Sequence, residues 1–448
     1  MTEPLTVVNG GFDWQTFTEQ HWDRNPVLYR SVAPSPFTEP DVFAAAAAAC
    51  RTGGDPAAAP PPNAGFTVER VQRTRPGPLL PRPADGSFDG YQGRLSTELA
   101  GRRHALVISG FHAFDFSLWA REREFFAGLW ERVGLPLTGA ITTLFHGTYE
   151  HSPVGVHKDR FATFMFGLKG RKRMRFWRHR PWQEPVSTVL DYARYRGSSF
   201  EAEVGPGDLL YWPSGYYHVG ESAGSAPATS VNVGVPREEH RAGYELEDLL
   251  VDLDPAGLTG RPSRGSRLAP VDAPVLAPPL GPDGLLSPVL PEGLRRSADA
   301  FRQFGDPRLV GDRVTTVSLR RWTAGGFEPV PGPAGPRRLA DGAVVEADPR
   351  YPVRWAPLGT ADTAGTICAA NGHDVATAAG PCDLLRLLDP LLSGKPVAVA
   401  DLLAGFRPAG TDGPADAVRL PADREGMRRL LEKLESFRGL TRVTGPGG

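Results

Sequence analysis

The sequence predicts an α+β protein with an antiparallel β-sandwich or barrel at its centre, and three observations carry that reading. Between positions 141 and 235, short apolar or alternating runs (141–145, 161–166, 171–177, 208–212 and 229–235) are separated by Gly/Pro turns. Short strands punctuated this way close into a sandwich or barrel. Residues 171–177 alternate strictly, so Lys172, Met174 and Phe176 share one face and Arg171, Arg173 and Arg175 the other. Helical periodicity lies on either side of this stretch.

Taken in order, Phe12, Trp14, Phe17 and Trp22 recur at roughly helical spacing, and Asn25-Pro26 stops the helix before a strand at 27–30. The run 43–49 is rich in alanine, the best helix former. Residues 52–64 form a low-complexity loop. Strands are expected at 66–71 and 106–108, with a helix at 118–133 that buries its aromatic side. Gly167 to Gly170 reads as a hairpin turn between strands. Beyond 236, a helix-leaning segment (237–253) leads into a proline-rich linker (255–285), a helical stretch (291–304) and a second Pro/Gly linker (332–338). After 339, Asn371-Gly372 between β-like flanks is a type I′ hairpin signal. Helices at 381–392, 397–404 and 424–437 and a strand at 441–443 complete the chain. Short helices beside a β-wing fit a winged-helix-like domain.

At 448 residues the chain exceeds one ordinary core. A formal net charge of −1 argues against dependence on non-specific phosphate binding, so nucleic acid is not the expected partner. Cys50, Cys368 and Cys382 are odd in number and in no metal spacing, which points to a reducing compartment. Met1-Thr2-Glu3-Pro4-Leu5 opens no signal peptide, and no run of about 18 apolar residues exists to span a membrane. A soluble, cytoplasmic protein is the expectation.

The candidate chemistry is concentrated in Gly155-Val156-His157-Lys158-Asp159 and Pro213-Ser214-Gly215-Tyr216-Tyr217-His218. On a strand, His157 and Asp159 project from the same face. A His-x-Asp pair alone is weak, since chance supplies one readily. With His218 from a second strand, however, it becomes the two-histidine, one-carboxylate set that binds non-haem Fe(II) and leaves positions open. His146 and His151 fit no ligand spacing and read as ordinary loop or surface histidines. Lys158 and Arg160 alternate with the ligands and face away.

These residues resemble the JmjC-type Fe(II)/2-oxoglutarate oxygenases of the cupin superfamily, and within them the ribosomal oxygenase group of protein arginine/histidine hydroxylases. The resemblance is widest over 141–236 and extends to the aromatic, Pro and Arg pattern at 17–30. It implies a double-stranded β-helix (jelly roll) with four regions. These are an N-terminal helical and strand region packing on the jelly roll (1–105), the catalytic core (106–240), a helical linker or dimerisation region (241–335) and the winged-helix-like domain (339–448). It implies His157, Asp159 and His218 as iron ligands. Lys172, fifteen positions after His157, would pair with the distal carboxylate of 2-oxoglutarate. Thr143, Ser230 and Asn232 would stand near the metal or cosubstrate. Fe(II), 2-oxoglutarate and O2 are the implied cofactors. The implied reaction hydroxylates a side chain, Arg or His, of a protein or peptide that includes ribosomal proteins, in a homodimer.

Two departures from the family pattern, Gly167 in place of a frequent Gln and Phe161-Ala162-Thr163-Phe164 in place of an acidic start, bear on the substrate side. Three other readings stay open. One is a hydroxylase of a small amino acid or peptide natural product. The second is a Zn or Mn cupin isomerase. The third is a degenerate cupin with a nucleic-acid-binding winged helix. The 178–203 insert, rich in Arg, Tyr and Trp, is expected to form a lid.

Overall fold

The computed structural model describes residues 5–51, 63–149 except 137, 154–237, 249, 307–359, 365–408 except 393, and 419–443. His151, the 255–285 linker, the helical expectation at 291–304 and most of the 241–335 region lie outside the described residues. Two compact units are present: Met1–Glu239 with Gly325–Gly332, and His240–Ala324 with Pro333–Gly448.

The first unit is built on strands β1 (Thr6–Val8), β2 (Val27–Tyr29), β3 (Ala64–Val68), β4 (Val71–Gln72), β5 (His104–Ser109), β6 (Ile141–Gly147), β7 (His157–Lys158), β8 (Phe161–Lys169), β9 (Lys172–Trp177), β10 (Phe200–Val204), β11 (Leu209–Trp212), β12 (Tyr217–Ser222) and β13 (Ala228–Pro236). A nine-stranded sheet runs β1-β2-β11-β8-β13-β6-β5-β3-β4, and a four-stranded sheet runs β10-β9-β12-β7. Met165, Met174, Phe176, Leu210 and Trp212 pack as one buried cluster. This is the expected cupin-like β-sandwich. The N-terminal strands do more than pack on it: β1 and β2 extend one end of the large sheet, and β5, β3 and β4 extend the other. A boundary at 105 would cut through β5.

Helices α1 (Trp14–Gln20), α2 (Glu39–Ala49), α3 (Phe88–Glu98) and α4 (Phe116–Val133) belong to the same unit. Asp13 caps α1 by accepting the amide of Thr16, and Asp115 caps α4 by accepting that of Leu118. Trp14 and Phe17 meet Phe126, Phe164 and Tyr211 in an aromatic core. Each fully buried aromatic contributes roughly 1.5–3 kcal/mol. A Cβ on Gly128 of α4 would stand 2.4 Å from the Trp14 ring, so this helix tolerates its glycine because the indole occupies that space. The 17–30 pattern acquires a role here: Arg30 is salt-bridged to Asp208, which joins β2 to the turn before β11.

Three local expectations are corrected. The run 66–71 is a hairpin, because Glu69 and Arg70 take positive φ (48° and 67°) and reverse the chain. β8 continues to Lys169, so the turn is confined to the residues around Gly170 (φ 64°). His146 is a fully buried strand residue, bonded through Nδ1 to Thr229 Oγ1 at 2.9 Å and stacked on Phe88.

In the second unit, one sheet joins 344–347 to 397–398 and 440–442, and another joins 354–358, 365–370 and 373–377. Asn371 and Gly372 have positive φ (49° and 80°), as a type I′ turn requires. Helices Pro307–Thr323, Pro381–Leu392, Val399–Leu403 and Arg424–Ser436 accompany them. Leu384, Leu387, Leu402, Met427 and Leu430 form their buried core.

Candidate metal centre

β7 is two residues long and pairs antiparallel with β12 so that His157 stands opposite His218. Asp159 follows directly. One ligand atom from each of His157, Asp159 and His218 lies within 4.8 Å of the others. His157 Nε2 is 3.6 Å from Asp159 Oδ1, and His218 Nε2 is 3.4 Å from Asp159 Oδ2. Each imidazole turns its other nitrogen to a backbone carbonyl: His157 Nδ1 is 2.9 Å from Gly155 O, and His218 Nδ1 is 3.2 Å from Tyr216 O. Those contacts set the tautomer that leaves Nε2 available to a metal. Burial and the neighbouring His218 hold His157 below its ordinary pKa, which keeps the ring neutral and able to ligate. Burial, the largest single influence, pushes Asp159 up, but the contacts with His218 and His157 together outweigh it and the carboxyl ends below its usual range. Two imidazoles and a carboxylate on one side of an open space fit a divalent transition metal.

The triad opens into a cavity of about 490 Å³ between the two sheets, also lined by Thr143, Phe145, Tyr149, Lys172, Gly220 and Asn232. Lys172 enters as the alternation of β9 requires, with Met174 and Phe176 on the same face. Its ammonium is buried, donates to Ser230 Oγ at 3.1 Å and lies 4.4 Å from the centre of the Phe145 ring. Among the described residues no carboxylate pairs with it, and burial pulls its pKa down to about 7. Thr143 meets Ser109 Oγ at 3.2 Å and stands opposite Asn232 in the β6–β13 register. Asn232 Oδ1 is buried without a hydrogen-bond partner among the described residues. The structure thus brings together all seven residues singled out in the sequence.

Residues 136–241 match the family described as JmjC domain. The chain carries a JmjC domain. That domain is the catalytic part of metal- and 2-oxoglutarate-dependent oxygenases, and it assigns the enzyme class and its cofactors. Among solved structures, the chain is similar to YcfD, a ribosomal oxygenase from Escherichia coli, at 16% identity and TM-score 0.44, over 97% of this chain and 98% of that one. It is likewise similar to the same protein in complex with cobalt and 2-oxoglutarate, at 14% identity and TM-score 0.44, over 97% and 99%. No curated protein matches the chain.

Within the JmjC domain, Lys158 is exposed and absent from the cavity wall, as alternation requires. Gly167 is a structural position, because a Cβ there would meet Gly205 O at 2.1 Å. Its departure from the family therefore leaves the cavity untouched, whereas Phe161 and Thr163 do line it. The expected lid is not one. No residue of 178–203 lines the cavity; Trp182 and Tyr192 instead pack with Val156, Trp177 and Val219 on the outer face of the small sheet. Sequence reasoning missed Phe145, Tyr149 and Gly220. Phe145 and Gly220 were reachable by counting two from Thr143 and His218, whereas Tyr149 lies past the end of β6 and carries no such signal.

Proposed function

We propose that the protein is an Fe(II)- and 2-oxoglutarate-dependent hydroxylase of a protein or peptide side chain, Arg or His, in which His157, Asp159 and His218 hold the metal. The observation that carries this reading is the buried, carboxylate-free Lys172 ammonium in the same cavity as the triad. A buried cation needs an anion, and the distal carboxylate of 2-oxoglutarate supplies one. Fe(II), 2-oxoglutarate and O2 together supply the oxidation that converts a C–H bond to C–OH, with succinate and CO2 as coproducts. Ser230 orients the Lys172 ammonium from β13. Asn232 offers its unpartnered oxygen, and its amide, to a ligand in the cavity. Phe145 and Tyr149 keep water from the ammonium.

The target preference rests on the resemblance of the motif residues to the ribosomal oxygenase group, which also favours a ribosomal substrate and a homodimer. The helices and the 365–377 hairpin of the second unit fit a winged-helix-like appendage that would present a macromolecular substrate. A cavity of about 490 Å³ also has room for a free amino acid, so both classes enter the test. Purified protein with Fe(II), 2-oxoglutarate and O2 is assayed for succinate and, by mass spectrometry, for a single added oxygen on candidate Arg- or His-containing peptides and on free amino acids. Full turnover by His157→Ala would overturn the assignment.

A further inference from the structure

We infer that the 178–199 excursion between β9 and β10 is a brace that positions both histidines from behind; as a statement about ligands, this rests on the proposed metal site. Neighbouring residues on a strand point to opposite faces, so the residues just before His157 and His218 face outward, and the excursion grips both of them. Val156 N donates to Val189 O at 2.8 Å, and Val189 N donates to Val156 O at 3.1 Å. Trp182 packs edge-on against Tyr217 with ring centres 5.3 Å apart. Val156 and Trp182 are themselves buried in the same outer cluster.

The contact is tight enough to dictate sequence. Gly155 has φ +76°, and a Cβ there would meet Val189 O at 2.4 Å. Gly155 O is also the acceptor that fixes the His157 ring, so Val189 sits one step behind the ligand's own orienting contact. The excursion is anchored as well: Tyr192 Oη donates to Glu221 Oε1 at 2.6 Å, and Trp177 Nε1 donates to Tyr195 O at 2.9 Å. β7 needs this support, since it is a two-residue strand at the sheet edge and, among the described residues, has β12 as its only sheet partner. Short edge segments open readily unless something ties down their free side. Val189 and Trp182 are therefore positioning residues.

The test uses the full chain. Val189→Pro removes the amide that donates to Val156 O, Val189→Ala keeps it, and Trp182→Leu removes the ring from Tyr217. Co(II) is titrated anaerobically into metal-free protein, and hydrogen–deuterium exchange is followed over 155–160. Lost support of ligand orientation typically costs 10–100-fold in metal affinity. A loss of at least about tenfold is therefore expected for Val189→Pro and Trp182→Leu, with faster exchange at 155–160 and wild-type behaviour for Val189→Ala. Unchanged exchange at 155–160 in both disruptive variants overturns the brace, and so does Co(II) affinity equal to wild type. If the wild-type protein binds no Co(II), the metal-site reading fails instead, and the exchange data still decide the brace. Should Val189→Pro fail to fold, Trp182→Leu carries both measurements.

Discussion

The Lys172 ammonium donates to the Ser230 hydroxyl at 3.1 Å, joining the small sheet to the large one at the inner end of the cavity. A hydroxyl satisfies one of three N–H groups and none of the charge. The position is therefore unfavourable in the free protein and favourable once an anion arrives. Lys172→Met should separate the two effects. A hydrogen bond to a charged partner contributes roughly 1.5–3 kcal/mol, so the KM or Kd for 2-oxoglutarate should rise about 10- to 100-fold. The free variant should also gain stability, because replacing an uncompensated buried charge with an apolar group of similar volume relieves desolvation. A Tm increase of about 2 °C or more corresponds to 1 kcal/mol in a unit of this size. Unchanged 2-oxoglutarate affinity in Lys172→Met would remove Lys172 from the binding site.

The same group predicts a pH dependence with a definite sign. Burial lowers the folded-state pKa of Lys172 from 10.5 to about 7. Between those values the unfolded chain binds a proton that the folded protein does not, so stability rises with pH across the window, by up to about 1.4 kcal/mol per unit. Urea unfolding of cosubstrate-free protein at pH 7, 8 and 9 should show this increment, and Lys172→Met should lack it. Binding 2-oxoglutarate should restore the proton. Calorimetry at pH 8 in buffers of different ionisation enthalpy should accordingly register proton uptake on binding, absent in the variant.

Gly220 makes room for that lysine. It follows His218 by two positions on β12 and shares its inward face. A Cβ here would lie 3.1 Å from Lys172 Cε and 3.4 Å from Met174 Sδ. Gly220→Ala asks the flexible lysine to shift by a few tenths of an ångström, whereas Gly220→Val adds two further methyl groups to the space it occupies. The expected outcome is a 2-oxoglutarate KM that rises severalfold for Ala and at least about tenfold for Val, with Co(II) affinity held near wild type. Loss of metal affinity in step with cosubstrate affinity would instead mean that the valine disturbs His218.

The site was legible in the sequence where period and chemistry coincide. Alternation along β9 placed Lys172 inward, and the His157–Asp159 spacing with the proline-led turn before His218 gave a strand pair its donors. What escaped depends on contacts distant in sequence. Helix α3 contains Gly90 and Gly93, poor helix formers, yet it forms because Phe88, Tyr91 and Leu95 bury and Ser87 caps the Gly90 amide. A Cβ on Gly90 would also strike Asp85 O at 2.0 Å, a constraint no periodicity displays. The Glu69-Arg70 turn lacks turn-forming residues and is held by pairing on both sides, Val68 with Val71 and Val68 with His104. β10, Phe200–Val204, is hidden in a charged segment whose glutamates meet Arg171 and Arg175 across the sheet.

His146 offers a test of the core that leaves the cavity alone. It is fully buried on β6 between Phe88 and Tyr91, with ring centres 5.1 and 5.4 Å away. Burial, reinforced by His104, drives its pKa down to about 3. The unfolded chain binds this proton below about 6.5, and the folded protein binds it only below about 3. Stability should therefore fall as pH drops through that interval, by up to about 1.4 kcal/mol per unit from this group. His146→Phe keeps a planar ring against Phe88 and Tyr91 while giving up the bond to Thr229. The variant should be somewhat less stable at pH 7 and lose less stability between pH 6.5 and 4, the difference in slope approaching one proton. Denaturant unfolding of both proteins across that range measures it directly, and identical slopes would show that His146 is protonated in the folded state.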